Sequence, residues 1–246
     1  MKKLYVLGLL STLLACSADK AADVGPGSAT GRGGSMARFT VAGEHLYIVN
    51  HSDLQVYTVR RSDDPRPVDK IPLQFGVETI FPFNRHLLIG TQTGMYIFGL
   101  ANPARPELLS VYNHVMSCDP VVAQGNYAYV TLRSGTPCRN GINLLDVLDI
   151  SNMRQPRLVN RYTMQSPHGL GIDGALLFVG EGDNGLTVFD ASDPASPKRL
   201  QTFREIRTYD VIPHQNVLIV TGKDGIQQYR YGGEAGLQLL SKLPVE

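Results

Sequence analysis

Leu145-Asp146-Val147-Leu148-Asp149-Ile150-Ser151-Asn152 and Leu186-Thr187-Val188-Phe189-Asp190-Ala191-Ser192-Asp193-Pro194 are two versions of one phrase. Each is a run of aliphatic and β-favouring residues closed by Asp, Ser and Asx, the side chains that stop a strand by bonding their own backbone. Looser copies stand at Leu54-Gln55-Val56-Tyr57, Gly94-Met95-Tyr96-Ile97-Phe98 and Ile226-Gln227-Gln228-Tyr229. A second strand-like run precedes each copy across a polar turn. These runs are His45-Leu46-Tyr47-Ile48-Val49, His86-Leu87-Leu88-Ile89-Gly90, Tyr127-Ala128-Tyr129-Val130-Thr131, Leu176-Leu177-Phe178-Val179-Gly180 and Val217-Leu218-Ile219-Val220-Thr221. A Pro-containing turn follows the copy, just ahead of a final strand. Pro67, Pro106, Pro156 and Pro197 stand 39, 50 and 41 residues apart, and Gly236 occupies the fifth place. Proline lacks a backbone donor, so it suits the entry to an edge strand.

Working outward, five units cover residues 36–75, 76–114, 115–165, 166–205 and 206–246, each about 40 residues long except for a third unit lengthened by roughly ten. Four strands per unit and no helical period predict an all-β fold, a five-bladed β-propeller of four-stranded antiparallel blades. A β-solenoid or irregular sandwich is the competing reading, but solenoid coils are shorter, roughly 20 to 30 residues, and rarely hold four strands.

The phrases at 145–152 and 186–194 resemble the repeat of LVIVD-repeat proteins, bacterial propeller-type proteins. The resemblance extends over nearly everything from Met36 onward. It is best in the third and fourth units, whereas the first and fifth lack the Asp-Ile-Ser-Asp-Pro ending. It implies the fold and an exported setting, and it brings no catalytic motif.

Residues 1–16 read as a signal. Lys2 and Lys3 precede an apolar run from Leu4 to Leu14, which at about 11 residues is well short of the roughly 20 that span a bilayer. Leu13-Leu14-Ala15-Cys16 resembles the bacterial lipobox, with Leu at −2 a less usual choice. The resemblance implies that Cys16 is the lipidation site, with a diacylglycerol on its thiol, and becomes the mature N-terminus bearing palmitate-type chains. An ordinary signal peptide cleaved nearby is the alternative. Residues 17–35, rich in Gly, Ala, Ser and Asp, read as a flexible tether, and 36–246 as the propeller domain. The expected address is the cell envelope, lipid-anchored, and the Ser17 that follows Cys16 permits outer-membrane sorting in some bacteria.

The formal net charge is +1 with no basic block, so a nucleic-acid partner is not expected. Trp is absent, which weighs against sugar stacking on indole. With Cys16 assigned to lipid, Cys118 and Cys138 remain. Cys118 opens the innermost strand of the third blade and Cys138 lies in that blade's insertion between its second and third strands. Both positions open on one propeller face, so a disulfide is expected outside the cytoplasm, with a metal site or free thiols as alternatives.

Inner strands start beside the central channel, and the repeats place Arg38, Glu78, Asp119, His168, Tyr209 and Asp210 at those starts, with His114 and Arg133 on the rim. Polar groups there are solvated, paired with one another or bound to a ligand, because burying them alone is costly. The structural option sets Arg38 against Glu78 and Asp119. The functional one is a ligand-binding mouth for a protein, small-molecule or glycan partner. A metal on His168, Asp119, Glu78 or Asp210 lacks close ligand spacing, and no cofactor motif occurs. Glu181-Gly182-Asp183-Asn184-Gly185 and Lys223-Asp224-Gly225 read as hairpin turns, and His45 and His86 as surface residues. A G-x-S-x-G elbow, a Walker A loop and a C-x-x-C motif are all missing. The expected function is a membrane-anchored, non-catalytic binding or scaffold module. The alternatives are a structural member of a surface complex and a hydrolase of the five-bladed glycosidase kind using Glu78, Asp119 and Asp210.

Overall fold

A computed structural model describes residues 34–113, 120–134, 142–233 and 236–245. They form five four-stranded antiparallel sheets, each in simple sequential order. The first blade holds β1 (Phe39–Ala42), β2 (His45–Val49), β3 (Asp53–Thr58) and β4 (Arg66–Pro72). The second holds β5 (Val77–Phe83), β6 (His86–Thr91), β7 (Gly94–Gly99) and β8 (Glu107–Asn113). In the third are β9 (Val121–Gln124), β10 (Tyr127–Leu132), β11 (Leu144–Asp149) and β12 (Arg157–Thr163). The fourth contains β13 (Leu170–Asp173), β14 (Leu176–Gly180), β15 (Leu186–Asp190) and β16 (Lys198–Phe203). The fifth contains β17 (Asp210–His214), β18 (Val217–Gly222), β19 (Gly225–Gly233) and β20 (Gly236–Leu243). Neighbouring first strands pack side by side, β1 on β5, β5 on β9, β9 on β13 and β13 on β17. These strands surround the channel, so the fold is the five-bladed propeller that the repeats predict.

The repeated phrase has a physical meaning. Asp149 accepts from the Ser151 N–H and Asn152 from the Arg154 N–H, and Asp190 and Asp193 do the same for Ser192 and Ala195. Two consecutive Asx turns therefore carry the chain from the third strand to the fourth. In all five blades the third and fourth strands slip register at one equivalent place, after Val56, Ile97, Val147, Val188 and Gln228. A bulge there adds local twist to the outer edge. Pro106, Pro156 and Pro197 sit just before their outer strands as expected, while Pro67 lies inside β4, opposite Tyr57.

The core lies between blades. One buried cluster joins the first and second blades around Tyr47, Leu54, Leu87 and Phe98. Others join the second to the third around Leu88, Ile97 and Val130, the third to the fourth around Tyr129, Leu177 and Phe189, and the fourth to the fifth around Phe178, Val211 and Leu218. Tyrosine hydroxyls stitch two of these seams, Tyr47 donating to the Pro103 carbonyl at 2.9 Å and Tyr129 to that of Pro194 at 3.0 Å.

The segment ahead of β1 docks on the fourth and fifth blades. Ser35, which the sequence groups with the tether, is 1% exposed. Its hydroxyl accepts from the Leu170 N–H at 2.8 Å and donates to Asp210 Oδ1 at 3.1 Å. Gly34 lies so close to the Asp210 carboxyl that a Cβ would collide with it. Residues 34–36 thus form a strap seated on the fourth and fifth blades, buried at Ser35 and exposed at Met36. His45 and His86, expected at the surface, are half-buried, and burial lowers the pKa of each below 6.5.

Candidate functional site at the channel mouth

The start of each inner strand and the turn between second and third strands open on one face. In the fourth blade this is visible directly: Gly182, in the β14–β15 turn, bridges to Thr208 ahead of β17, and a Cβ on it would meet the His168 ring. On this face Met36, Arg38, Glu78, Thr79, Pro120, Arg133 and His168 line a cavity of about 90 Å³. A water's share of liquid volume is roughly 30 Å³, so the cavity takes a few waters or one small polar group. It unites Arg38, Glu78 and His168 of the predicted ring with Arg133 of the predicted rim. Asp119, His114, Cys118 and Cys138 lie outside the described residues, as does Cys16.

Each side chain has a definite state. His168 Nδ1 is 2.7 Å from the Ser166 carbonyl, and since a carbonyl only accepts, that nitrogen carries the hydrogen and Nε2 is left as an acceptor. Burial is the main cause holding the His168 pKa below 6.5, opposed by the Ser166 contact, helped by Arg133 and opposed by Asp183. The ring is therefore neutral at neutral pH. Tyr209 leans on it, with ring centroids 5.4 Å apart. Glu78 accepts from the Gln92 amide at 3.2 Å. The expected pairing of Arg38 with Glu78 is not formed: among the described residues Arg38 is exposed and makes no ion pair. The mouth combines two guanidinium groups with a carboxylate and a neutral imidazole.

Asp210 is the predicted ring residue that turns away. Its carboxylate accepts from the backbone N–H groups of Val211, Met36 and Ser35 and from the Ser35 hydroxyl. Burial raises its pKa to about 6 despite those bonds. Asp210 anchors the strap. Among the described residues, no group of three or more His, Cys, Asp or Glu is placed to hold a metal ion.

Two further polar sites were missed from sequence. Asp146, fully buried, is gripped by Arg161 through two bonds of 2.7 Å. Glu181, in a segment correctly read as a turn, is 1% exposed. It accepts from the Gln165 N–H at 2.6 Å and the Thr187 hydroxyl at 2.5 Å. The one available signal for Asp146 was an acid where the other copies carry Gln, Tyr, Thr and Gln.

Comparison with known proteins identifies the repeat and the fold. A model described as LVIVD repeat matches residues 117–164 and 168–203, the third and fourth blades. A search of curated proteins gave no match. Among solved structures, a protein from Lactobacillus plantarum is 15% identical with a TM-score of 0.65, covering 82% of this chain and 73% of that one. The periplasmic gluconolactonase PpgL of Pseudomonas aeruginosa is 16% identical with a TM-score of 0.63, covering 82% and 68%. BamB from Moraxella catarrhalis is 9% identical with a TM-score of 0.55, covering 76% and 54%. At these identities the likeness is one of fold. The chain thus carries LVIVD repeats in its third and fourth blades, and all five blades are four-stranded sheets of a β-propeller.

Proposed function

We propose that the protein is an exported lipoprotein, held on a membrane through Cys16, whose propeller binds without catalysis a partner that presents an anionic group to the channel mouth. The observation that carries this reading is the cavity in which Arg38 and Arg133 face the neutral His168. A guanidinium is a planar fork suited to carboxylate or phosphate, and Arg38 is exposed and outside any ion pair among the described residues. The His168 Nε2 and Glu78 can accept from a donor on the same partner. Two acyl chains hold a protein on a membrane stably, and the segment before the strap gives the domain reach.

The likeness to a gluconolactonase, a hydrolase by name, rests on 16% identity and supports no activity here. A glycosidase reading needs a pair of free carboxyls flanking the substrate, and Asp210 is committed to the strap. The test uses full-length protein in detergent with citrate and inorganic phosphate as probes. A ligand at ten times its Kd stabilises by about 1.4 kcal/mol, which is a rise of about 3 to 5 °C in Tm for a domain of this size. Arg38→Ala should lose that rise while keeping the unliganded Tm. No rise with either probe, or an equal rise in the variant, contradicts the reading.

A further inference from the structure

The five blades can be compared position by position, and one differs. The second cross-strand pair before the outer bulge is Gln55–Lys70, Tyr96–Val111, Asp146–Arg161, Thr187–Thr202 and Gln227–Lys242. Four pairs include at least one long side chain. In the third blade Asp146 and Arg161 fill the place with a two-pronged ion pair, and in the first Lys70 reaches Asp53 at 3.2 Å. The fourth blade has two threonines, bonded to each other at 2.9 Å.

Beside Thr202 lies a cavity of about 420 Å³, lined also by Gln165, Glu181, Asp183, Arg199 and Arg204 among others. It opens on the same face as the mouth, and the 181–185 turn stands between the two. The residue at the end of the second strand is Asn50, Thr91, Leu132 and Gly222 in the other blades, so a carboxylate occurs at this position in the fourth blade alone. Glu181 is fixed by its two donors. Arg199 is held over the Phe189 ring at 5.4 Å, with its Nη1 4.0 Å from Glu181 Oε1. That separation is too long for a hydrogen bond. A hydroxyl inserted between the two would accept from the guanidinium and donate to the carboxylate.

We propose that this fourth-blade cavity is a second binding site, for a neutral polyhydroxylated ligand of one or two sugar units. The volume is within the roughly 300–1,000 Å³ of small-molecule sites. Two carboxylates and two guanidinium groups balance in charge, which disfavours an ionic ligand. The lining offers guanidinium and amide donors (Arg199, Arg204, Gln165) beside carboxylate acceptors (Glu181, Asp183), a mixture that vicinal hydroxyls can satisfy. The site shares no lining residue with the mouth, so its failure and that of the anion-binding reading are separable.

The test is saturation-transfer NMR on the full-length protein in detergent, with maltose, cellobiose and N,N′-diacetylchitobiose at up to about 10 mM, a range that detects Kd values near 1 mM. At least one should bind. T202R places a guanidinium against Glu181, as Arg161 lies against Asp146, and should weaken binding at least tenfold. Glu181→Gln, which keeps the volume and removes the charge, should do the same, and R38A should leave it unchanged. The proposal is overturned if none of the three sugars binds, if binding survives T202R or Glu181→Gln, or if R38A abolishes it.

Discussion

Replacing Asp210 by Asn tests whether the strap is seated on a buried carboxyl. Burial raises the Asp210 pKa from 3.8 to about 6. A folded-state pKa above the unfolded one means that the native state holds the proton more tightly. The stability from this group is therefore fully present below pH 3.8 and is lost as pH rises through 6. The whole change corresponds to about 3 kcal/mol, and about 2 kcal/mol of it falls between pH 4 and pH 7. Asparagine does not titrate, so the variant lacks this slope. It also loses acceptor capacity toward the Ser35 and Met36 N–H groups and the Ser35 hydroxyl, which lowers its stability at pH 4. The diagnostic quantity is the gap in unfolding free energy between wild type and variant, measured by urea denaturation at the two pH values. The half-buried histidines titrate alike in both proteins and cancel. The gap should move in favour of the variant by about 2 kcal/mol from pH 4 to pH 7, or about 5 °C in Tm. A gap unchanged to within about 0.5 kcal/mol would refute the burial of Asp210 as the source of its raised pKa.

Tyr129→Phe removes the hydroxyl that donates to Pro194 across a blade seam and should cost about 1 kcal/mol in urea denaturation, with the fold unchanged by circular dichroism. Exported protein should resist alkylation at Cys118 and Cys138 until reduced. Replacing both by Ser should lower stability by roughly 3 kcal/mol in the chain-entropy account. Cys16→Ser should move the protein from the detergent phase to the aqueous phase in detergent partitioning, leaving its Tm unchanged.

The sequence carried the repeats, and with them the blades, because a strand buried between two blades must repeat its apolar alternation in every copy. Leu54, Met95, Leu145 and Leu186 are such buried positions, whereas the equivalent Ile226 of the fifth blade is exposed. Arg38, Glu78 and His168 line one cavity, since strand starts are set by topology. The direction in which a side chain turns was beyond the reach of the sequence. Asp210 begins an inner strand like the others yet bonds the strap, and nothing in Gly34-Ser35-Met36 distinguishes a buried strap from the polar tether before it. Glu181 likewise sits in a stretch whose turn chemistry is unmistakable. Its burial follows from Gln165 and Thr187, partners 16 and 6 residues away. The Asp146–Arg161 bond depends on cross-strand register, which a bulge shifts by one residue, and local sequence does not announce that shift.

The claim that this propeller works by binding a partner at its mouth is tested most directly by capture from its own envelope. Lipidated full-length protein and its R38A and H168A variants, shown to be equally stable, are used to pull partners from solubilised membranes, which are then identified by mass spectrometry. The account predicts at least one partner enriched by the native protein and lost with both variants. An identical set of partners for all three proteins would contradict it.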